Sequence, residues 1–362
     1  LGADSLNAKN ELEEGAFYVW TTTALQQILG EDFNLFSEVF NINEFGLWEH
    51  GNYVLIQNQP LTAIAEKHNI TVEFLAAKKK NWEAQLYAIR ENRSKPRLDD
   101  KCLTSWNAIM LKGFAEAYKA TGNSCYADIA IKNAQFIIQK IWSPEGHLFR
   151  TYKNNKATIN AYLEDYAHVI AAFISLYEIT VNEQWLTYAK QLTDYTFDHF
   201  YDKEAEFFSF TSHQDEALVI PHFEVEDNVI PAANSVMATN LFRLSIYFNH
   251  TYYEKVAKQM LQHILPTIDY PSAFSNWLNL LLHFSESQNE LAVCSAQAFD
   301  YLKQLNSWYT PNLIVGGTDK ASELPFLANR FVENQTLFYW CHNKACDLPE
   351  TEFEKISAKI RS

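Results

Sequence analysis

The sequence predicts an all-α fold, an (α/α)6 toroid of helical hairpins with a few short strands near the N-terminus. Three observations point there. Helix-period apolar runs fill the chain from Pro60 onward, helices greasy on all sides alternate with one-faced helices, and a short pattern recurs along the chain.

The first sixty residues are mixed. Phe17-Tyr18-Val19-Trp20 and Asn52-Tyr53-Val54-Leu55-Ile56 read as short strands, and Thr23 and Gln26 have the spacing of a capping box. Helices are then expected near 60–68, 71–92, 102–121, 125–141, 164–180, 183–200, 234–248, 252–264, 273–284, 291–305 and 333–345. In 102–121, Trp106, Ala108, Ile109, Met110, Leu111, Phe114, Ala115 and Ala117 leave no polar stripe, and Tyr166 to Leu176 does the same in 164–180. A helix apolar on every side must be surrounded. Each is followed by a helix with one wet face: Tyr126, Ile129, Ala130 and Phe136 oppose Asp128, Lys132 and Gln135, while Trp185, Leu186, Ala189 and Leu192 oppose Lys190, Gln191 and Asp194.

Tyr118, Tyr126 and Ala130 recur 59 residues later as Tyr177, Trp185 and Ala189, and 68 beyond that as Ser245, Tyr253 and Ala257. The repeating unit is a helical hairpin with one member it cannot cover alone, so hairpins must stack. Uneven spacing, the long loops 143–160 and 201–230 and the strongly apolar inner helices favour a closed ring of six over an open solenoid. The chain then reads as one domain, 1–362, in which 1–59 forms a mixed N-terminal segment.

Composition narrows the function. Lys plus Arg minus Asp plus Glu is 29 − 44 = −15, which repels phosphate backbones and anionic lipid heads, so neither nucleic acid nor a membrane surface is an expected partner. Ten glycines in 362 residues and no GxGxxG or GxxxxGK[ST] string argue against a nucleotide-binding βαβ domain. No apolar run approaches the ~18 residues of a membrane span, and Leu1 to Asn10 lacks the pattern of a signal peptide. Five cysteines (Cys102, Cys125, Cys294, Cys341 and Cys346) point to a reducing compartment, the cytoplasm, rather than to a disulfide framework. The chain opens without methionine, which predicts a piece of a longer protein.

In a ring of hairpins, polar residues at the starts of the inner helices gather at one mouth. Asp99 and Asp100 precede 102–121, Asp165 opens 164–180, and Asp227 and Asn234 precede or open 234–248. Aspartate at a helix start is more often a cap than a catalyst, because free N–H groups and the helix dipole favour it there. Aromatics and amides accompany these acids: Trp106 and Asn107, Tyr166, and Trp277. Carboxylates, amides and flat rings in one cleft suit a sugar, whose hydroxyls need donors and acceptors and whose C–H face needs an apolar platform, although Trp and Tyr on buried helices are usually core. His168, near Asp165, is the expected proton shuttle, against the commoner role of a satisfied core histidine. The histidines show no HExxH or zinc-finger spacing, so no metal and no cofactor is expected. Cys341 and Cys346, placed on a helix, would bridge only with strain, leaving packing as the favoured role over redox or metal chemistry.

Several strings resemble a known family. Glu14-Gly15-Ala16-Phe17-Tyr18-Val19-Trp20-Thr21, Arg93 with Pro96, Asp99 to Asn107, Asp165-Tyr166-Ala167, Asn234-Ser235, and Cys341-x4-Cys346 followed by Pro349 are similar to the thioredoxin-like family that includes spermatogenesis-associated protein 20. The resemblance implies an upstream thioredoxin-like domain followed by an (α/α)6 barrel similar to N-acylglucosamine 2-epimerases and six-hairpin glycosidases. Two loops depart from that pattern, with Pro231-Ala232-Ala233 and Ala205-Glu206 where glycine is usual.

The expectation is a carbohydrate-binding barrel acting on a small sugar-like ligand by epimerisation, isomerisation or glycoside cleavage, with Asp99, Asp100, Asp165, Asp227 and His168 as catalytic candidates. The rival is a non-catalytic scaffold presenting substrate to the thioredoxin-like domain.

Overall fold

The computed structural model describes residues 4–7, 9–216, 218–285 and 288–361. The chain divides into two compact units, Leu1–Asp100 and Lys101–Ser362, where the sequence suggests one domain with a mixed segment ending at 59.

The first unit contains β1 (Asp4–Leu6), β2 (Leu12–Glu14), β3 (Trp20–Thr21), α1 (Thr22–Leu29), α2 (Phe33–Val39), β4 (Asn52–Tyr53), α3 (Leu61–Lys67) and α4 (Val72–Arg90). The cap of α1 is Thr21, whose Oγ1 accepts the Ala24 N–H at 3.2 Å, one residue before the helix and two before the capping box the spacing suggests. Its core joins Trp20, Leu25, Phe36, Val39, Ile64, Leu75 and Trp82. The string 14–21 forms a tight loop collected by Arg93, whose Nη1 donates to the carbonyls of Ala16, Phe17 and Val19 at 3.3, 3.1 and 2.7 Å while its guanidinium lies 3.9 Å over the Trp20 ring.

The second unit begins with β5 (Cys102–Leu103) and three consecutive hairpins: α5 (Thr104–Thr121) with α6 (Ser124–Phe136), α7 (Leu163–Thr180) with α8 (Gln184–His199), and α9 (Ala233–Tyr247) with α10 (Thr251–Ile264). Here α7 packs against α5 on one side and α9 on the other, giving an inner row backed by the one-faced α6, α8 and α10. This is the alternation the sequence predicts, and the unit is mostly helical. Every residue of α7 from Leu163 to Ile179 is buried. The all-round burial expected for α5 is corrected: Trp106 and Met110 are 55% and 57% exposed on a face they share with Gly113 and Glu116. Lys112, Gly113 and Glu116 interrupt its apolar pattern.

Loop 143–160 contains a hairpin, β6 (Phe149–Lys153) and β7 (Lys156–Asn160), turned by Asn154 and Asn155 at φ 51° and 59°. Loop 201–230 contains β8 (Tyr201–Asp202) and β9 (Phe207–Phe208). After α11 (Ser275–Ser285) comes the largest departure. Residues 298–305 are helical as expected, but 291–294 of that expected helix and most of the one expected over 333–345 are strands of a four-stranded sheet ordered β11-β10-β12-β13, from β10 (Asn289–Cys294), β11 (Leu313–Thr318), β12 (Leu337–His342) and β13 (Ala345–Cys346). α12 (Ala298–Asn306) links the parallel pair β10 and β11, and α13 (Phe353–Arg361) lies against β12. The run Leu291-Ala292-Val293-Cys294 is buried on both faces of the sheet, so its apolar continuity carries no period by which to tell strand from helix.

Cys341 and Cys346 are directly paired residues of β12 and β13 and form a disulfide. The expectation of packing cysteines on a helix is corrected, because strand pairing brings their side chains to one side. Among the described residues no helix is long and apolar enough to cross a membrane.

Candidate active site

The N-termini of α5, α7 and α9 are knitted together by side chains. Asp165 is buried at the start of α7. Its Oδ1 accepts the Ser105 N–H of α5 at 2.8 Å, and its Oδ2 accepts the Tyr162 N–H at 3.0 Å and Arg150 Nη1 at 3.1 Å. Arg150, projected from β6, also pairs with Glu164 and lies 4.4 Å over the Tyr162 ring. Burial pushes the Asp165 carboxyl up to about 6, against the pull of Arg150 and the two amides. Capping at a helix start lowers a carboxyl's pKa, but here desolvation outweighs the hydrogen bonds and reverses the sign.

His168 follows one turn deeper, 5% exposed. Its Nε2 is buried and has no hydrogen-bond partner among the described residues. Burial and the nearby Lys112 lower its pKa to about 4, so the imidazole is neutral at physiological pH. Ser105 Oγ, at the start of α5, is a second buried polar atom without a partner among the described residues.

The other candidates fall elsewhere. Asp227 accepts from Ala232 N, Ser235 Oγ, Ser275 Oγ and Asn276 N at 3.0, 3.2, 3.1 and 2.9 Å, tying the entries of α9 and α11. Burial opposes ionisation there, yet the amides of Asn276 and Ala232 hold its carboxyl below the usual range. Asn234 is buried and clamps the backbone of Phe208, accepting its N–H and donating to its carbonyl, both at 2.9 Å. Tyr166 and Trp277, expected at the rim, have no exposed surface. The Tyr166 hydroxyl accepts the Leu148 N–H at 2.9 Å, and Trp277 Nε1 donates to Val225 O at 2.8 Å. They are core because polar tips that find backbone partners let large rings be buried. Trp106 is exposed, and Asn107 Nδ2 bonds to Leu103 O at 2.8 Å. Asp99 and Asp100 are exposed residues of the first unit and are engaged with other groups.

The sequence reading misses Arg150, and with it the charges deeper in the inner row: Lys112, Glu116 and Lys119 on α5, Glu178 on α7 and Arg243 on α9. They line a cavity of about 580 Å³ that none of the predicted acids borders. A signal existed, since Arg243 is the only charged residue of α9 and Glu178 stands near the end of an otherwise apolar stretch.

Human spermatogenesis-associated protein 20 is 28% identical over 381 residues, covering 94% of this chain and 48% of that protein, and the mouse protein is 29% identical over the same span. The chain thus spans about half the length of the curated relatives it matches. Among solved structures, the cellobiose 2-epimerase of Bacillus thermoamylovorans has a TM-score of 0.38 at 12% identity, covering 72% of this chain and 64% of that one. A GH76 α-mannanase of Bacteroides thetaiotaomicron has a TM-score of 0.43 at 14% identity, covering 64% and 67%. The family model described as N-acylglucosamine 2-epimerase matches residues 62–300, two thirds of the chain, and the chain belongs to that family.

Proposed function

We propose that the barrel binds a sugar and transfers a proton at one of its carbons, with His168 as the proton-transfer group. The observation that carries this reading is the imidazole of His168, neutral, buried, and without a partner at Nε2 among the described residues. A neutral imidazole with an unengaged nitrogen is what a general base requires, and a ligand hydroxyl would satisfy Ser105 Oγ at the start of α5. Arg150, Glu164 and Asp165 act as positioning residues, since every Asp165 contact ties α5, α7 and the β6 hairpin into one frame. Trp106, exposed one residue beyond Ser105, is the platform for a sugar's C–H face. The wider reading keeps the chain as one barrel domain acting beside a thioredoxin-like domain in the cytoplasm, and glycoside cleavage as the alternative chemistry.

The test is exchange of the proton at C2 of N-acetylglucosamine, mannose and cellobiose in D2O, followed by NMR with the full chain. We expect exchange with at least one sugar, and a loss of at least 100-fold in His168→Asn under conditions where the variant is folded by circular dichroism. Equal exchange by the variant, or none with any sugar, would overturn the assignment.

A second reading, the non-catalytic scaffold, has support of its own: the predicted acids Asp165 and Asp227 and the amide Asn234 are saturated by structural hydrogen bonds. It predicts no exchange, together with a large loss of stability on Asp165→Ala.

A further inference from the structure

The charged cavity at the other end of the inner row differs in chemistry from the mouth of α7. It holds three cations, Lys112, Lys119 and Arg243, and two carboxylates, Glu116 and Glu178, in a protein whose overall balance is −15. Both carboxylates are already engaged. Glu178 pairs with Arg243, accepts Lys119 Nζ at 2.7 Å and the Tyr247 hydroxyl at 3.2 Å, and is held down at about 2 despite its burial. Glu116 accepts Lys119 Nζ at 2.9 Å and the Ser175 hydroxyl at 3.4 Å. Lys112 alone makes neither a hydrogen bond nor an ion pair among the described residues. It is exposed on the cavity wall, and the protein packed around it, with Arg243 and Lys119 nearby, pushes its ammonium below the ordinary lysine range.

With both carboxylates of the cavity engaged elsewhere, Lys112 is the cation on its wall left to make charge-assisted hydrogen bonds to an anion. The cavity has the size of a small-molecule site. Its wall continues through Asn306, Ser307, Trp308 and Tyr309, supplying amide and hydroxyl groups and, in Tyr309, a ring that is 93% exposed. Asn306 is fixed to the end of α7 by a bond from its Nδ2 to Glu178 O at 3.0 Å, so this wall does not drift from the charged floor.

We propose that this cavity binds a sugar-sized organic anion, its phosphate or carboxylate group held by Lys112 and its hydroxyls by the wall formed by residues 306–309. The anion site stands on the cavity itself; only the sugar part of the ligand rests on the function proposed above.

The full chain would be titrated calorimetrically with glucose, glucose 6-phosphate, glucuronate and inorganic phosphate, and the titrations repeated with Lys112→Met and Lys112→Arg. We expect one or both charged sugars to bind at least tenfold more tightly than glucose, Lys112→Met to weaken them at least tenfold, and Lys112→Arg to restore most of the loss. Because Lys112 is unpaired, Lys112→Met should fold with a melting temperature no lower than that of the wild type. Lys112-dependent binding of inorganic phosphate without binding of any sugar would keep the anion site and remove its sugar. Binding of glucose equal to that of the charged sugars, or binding that Lys112→Met leaves unchanged, would overturn the proposal while leaving the proton-transfer reading intact. No binding of any of the four would overturn it outright.

Discussion

At the scale of single residues, two buried titratable groups of α7 oppose each other. His168 stays neutral in the folded chain down to about pH 4, whereas a free histidine takes up a proton near 6.5. The unfolded chain gains that proton first, so the His168 contribution to stability is complete above pH 6.5 and is lost as pH falls towards 4. Asp165 has the opposite sign. Its folded value of about 6 stands above the ordinary 3.8, so the folded chain keeps a proton the unfolded chain has released, and stability falls as pH rises from 3.8 to 6. Between pH 4 and 6 the two slopes largely cancel. Replacing His168 with Asn removes one of them, and urea unfolding across that range should show the variant losing stability relative to the wild type as pH rises; parallel profiles would contradict the burial of His168. Asn234→Ala tests the Phe208 clamp. It leaves one buried N–H and one buried carbonyl without partners and should cost about 2–4 kcal/mol in denaturant unfolding. Asp165 and Asn234 were legible in sequence as polar residues at helix entries, but their roles were not: whether such a side chain faces a ligand or a neighbouring backbone depends on what other loops bring up to it.

At the scale of elements, the hairpins of the second unit were legible because burial imposes a period on the sequence, and α7 with α8 shows that period most clearly. The C-terminal sheet was not, because a strand covered on both faces has no polar residue to mark its alternation. One clue stood out. Gly316 and Gly317, the only adjacent glycines of the chain, lie in β11, where the Tyr177 hydroxyl donates to the Gly317 carbonyl and accepts its N–H at 3.1 and 3.0 Å. A Cβ at Gly316 would come within 2.9 Å of Phe326 and of the Tyr177 oxygen, and one at Gly317 within 2.9 Å of Leu302 and 3.1 Å of the Val293 carbonyl. Gly317→Ala should therefore destabilise the protein by about 1–3 kcal/mol through overpacking, read as a lower urea midpoint. Leu176→Ala, in the fully buried stretch of α7, should cost about 2–5 kcal/mol in the same measurement.

At the scale of the whole molecule, a net charge of −15 and a cavity with an excess of cations serve different ends. The global charge discourages polyanions, and gel-shift assays at 150 mM salt should show no retention of duplex DNA. The cavity is a local exception in sign, scaled to a small ligand rather than to a polymer. Between the mouth at Asp165 and the floor at Glu178 runs a single rod of about 20 Å, thirteen residues at 1.5 Å each. Each end of it is bolted by salt bridges, Arg150 at one and Arg243 with Lys119 at the other. With protein on every side it has no room to bend, so the two bolted ends are held at a fixed separation.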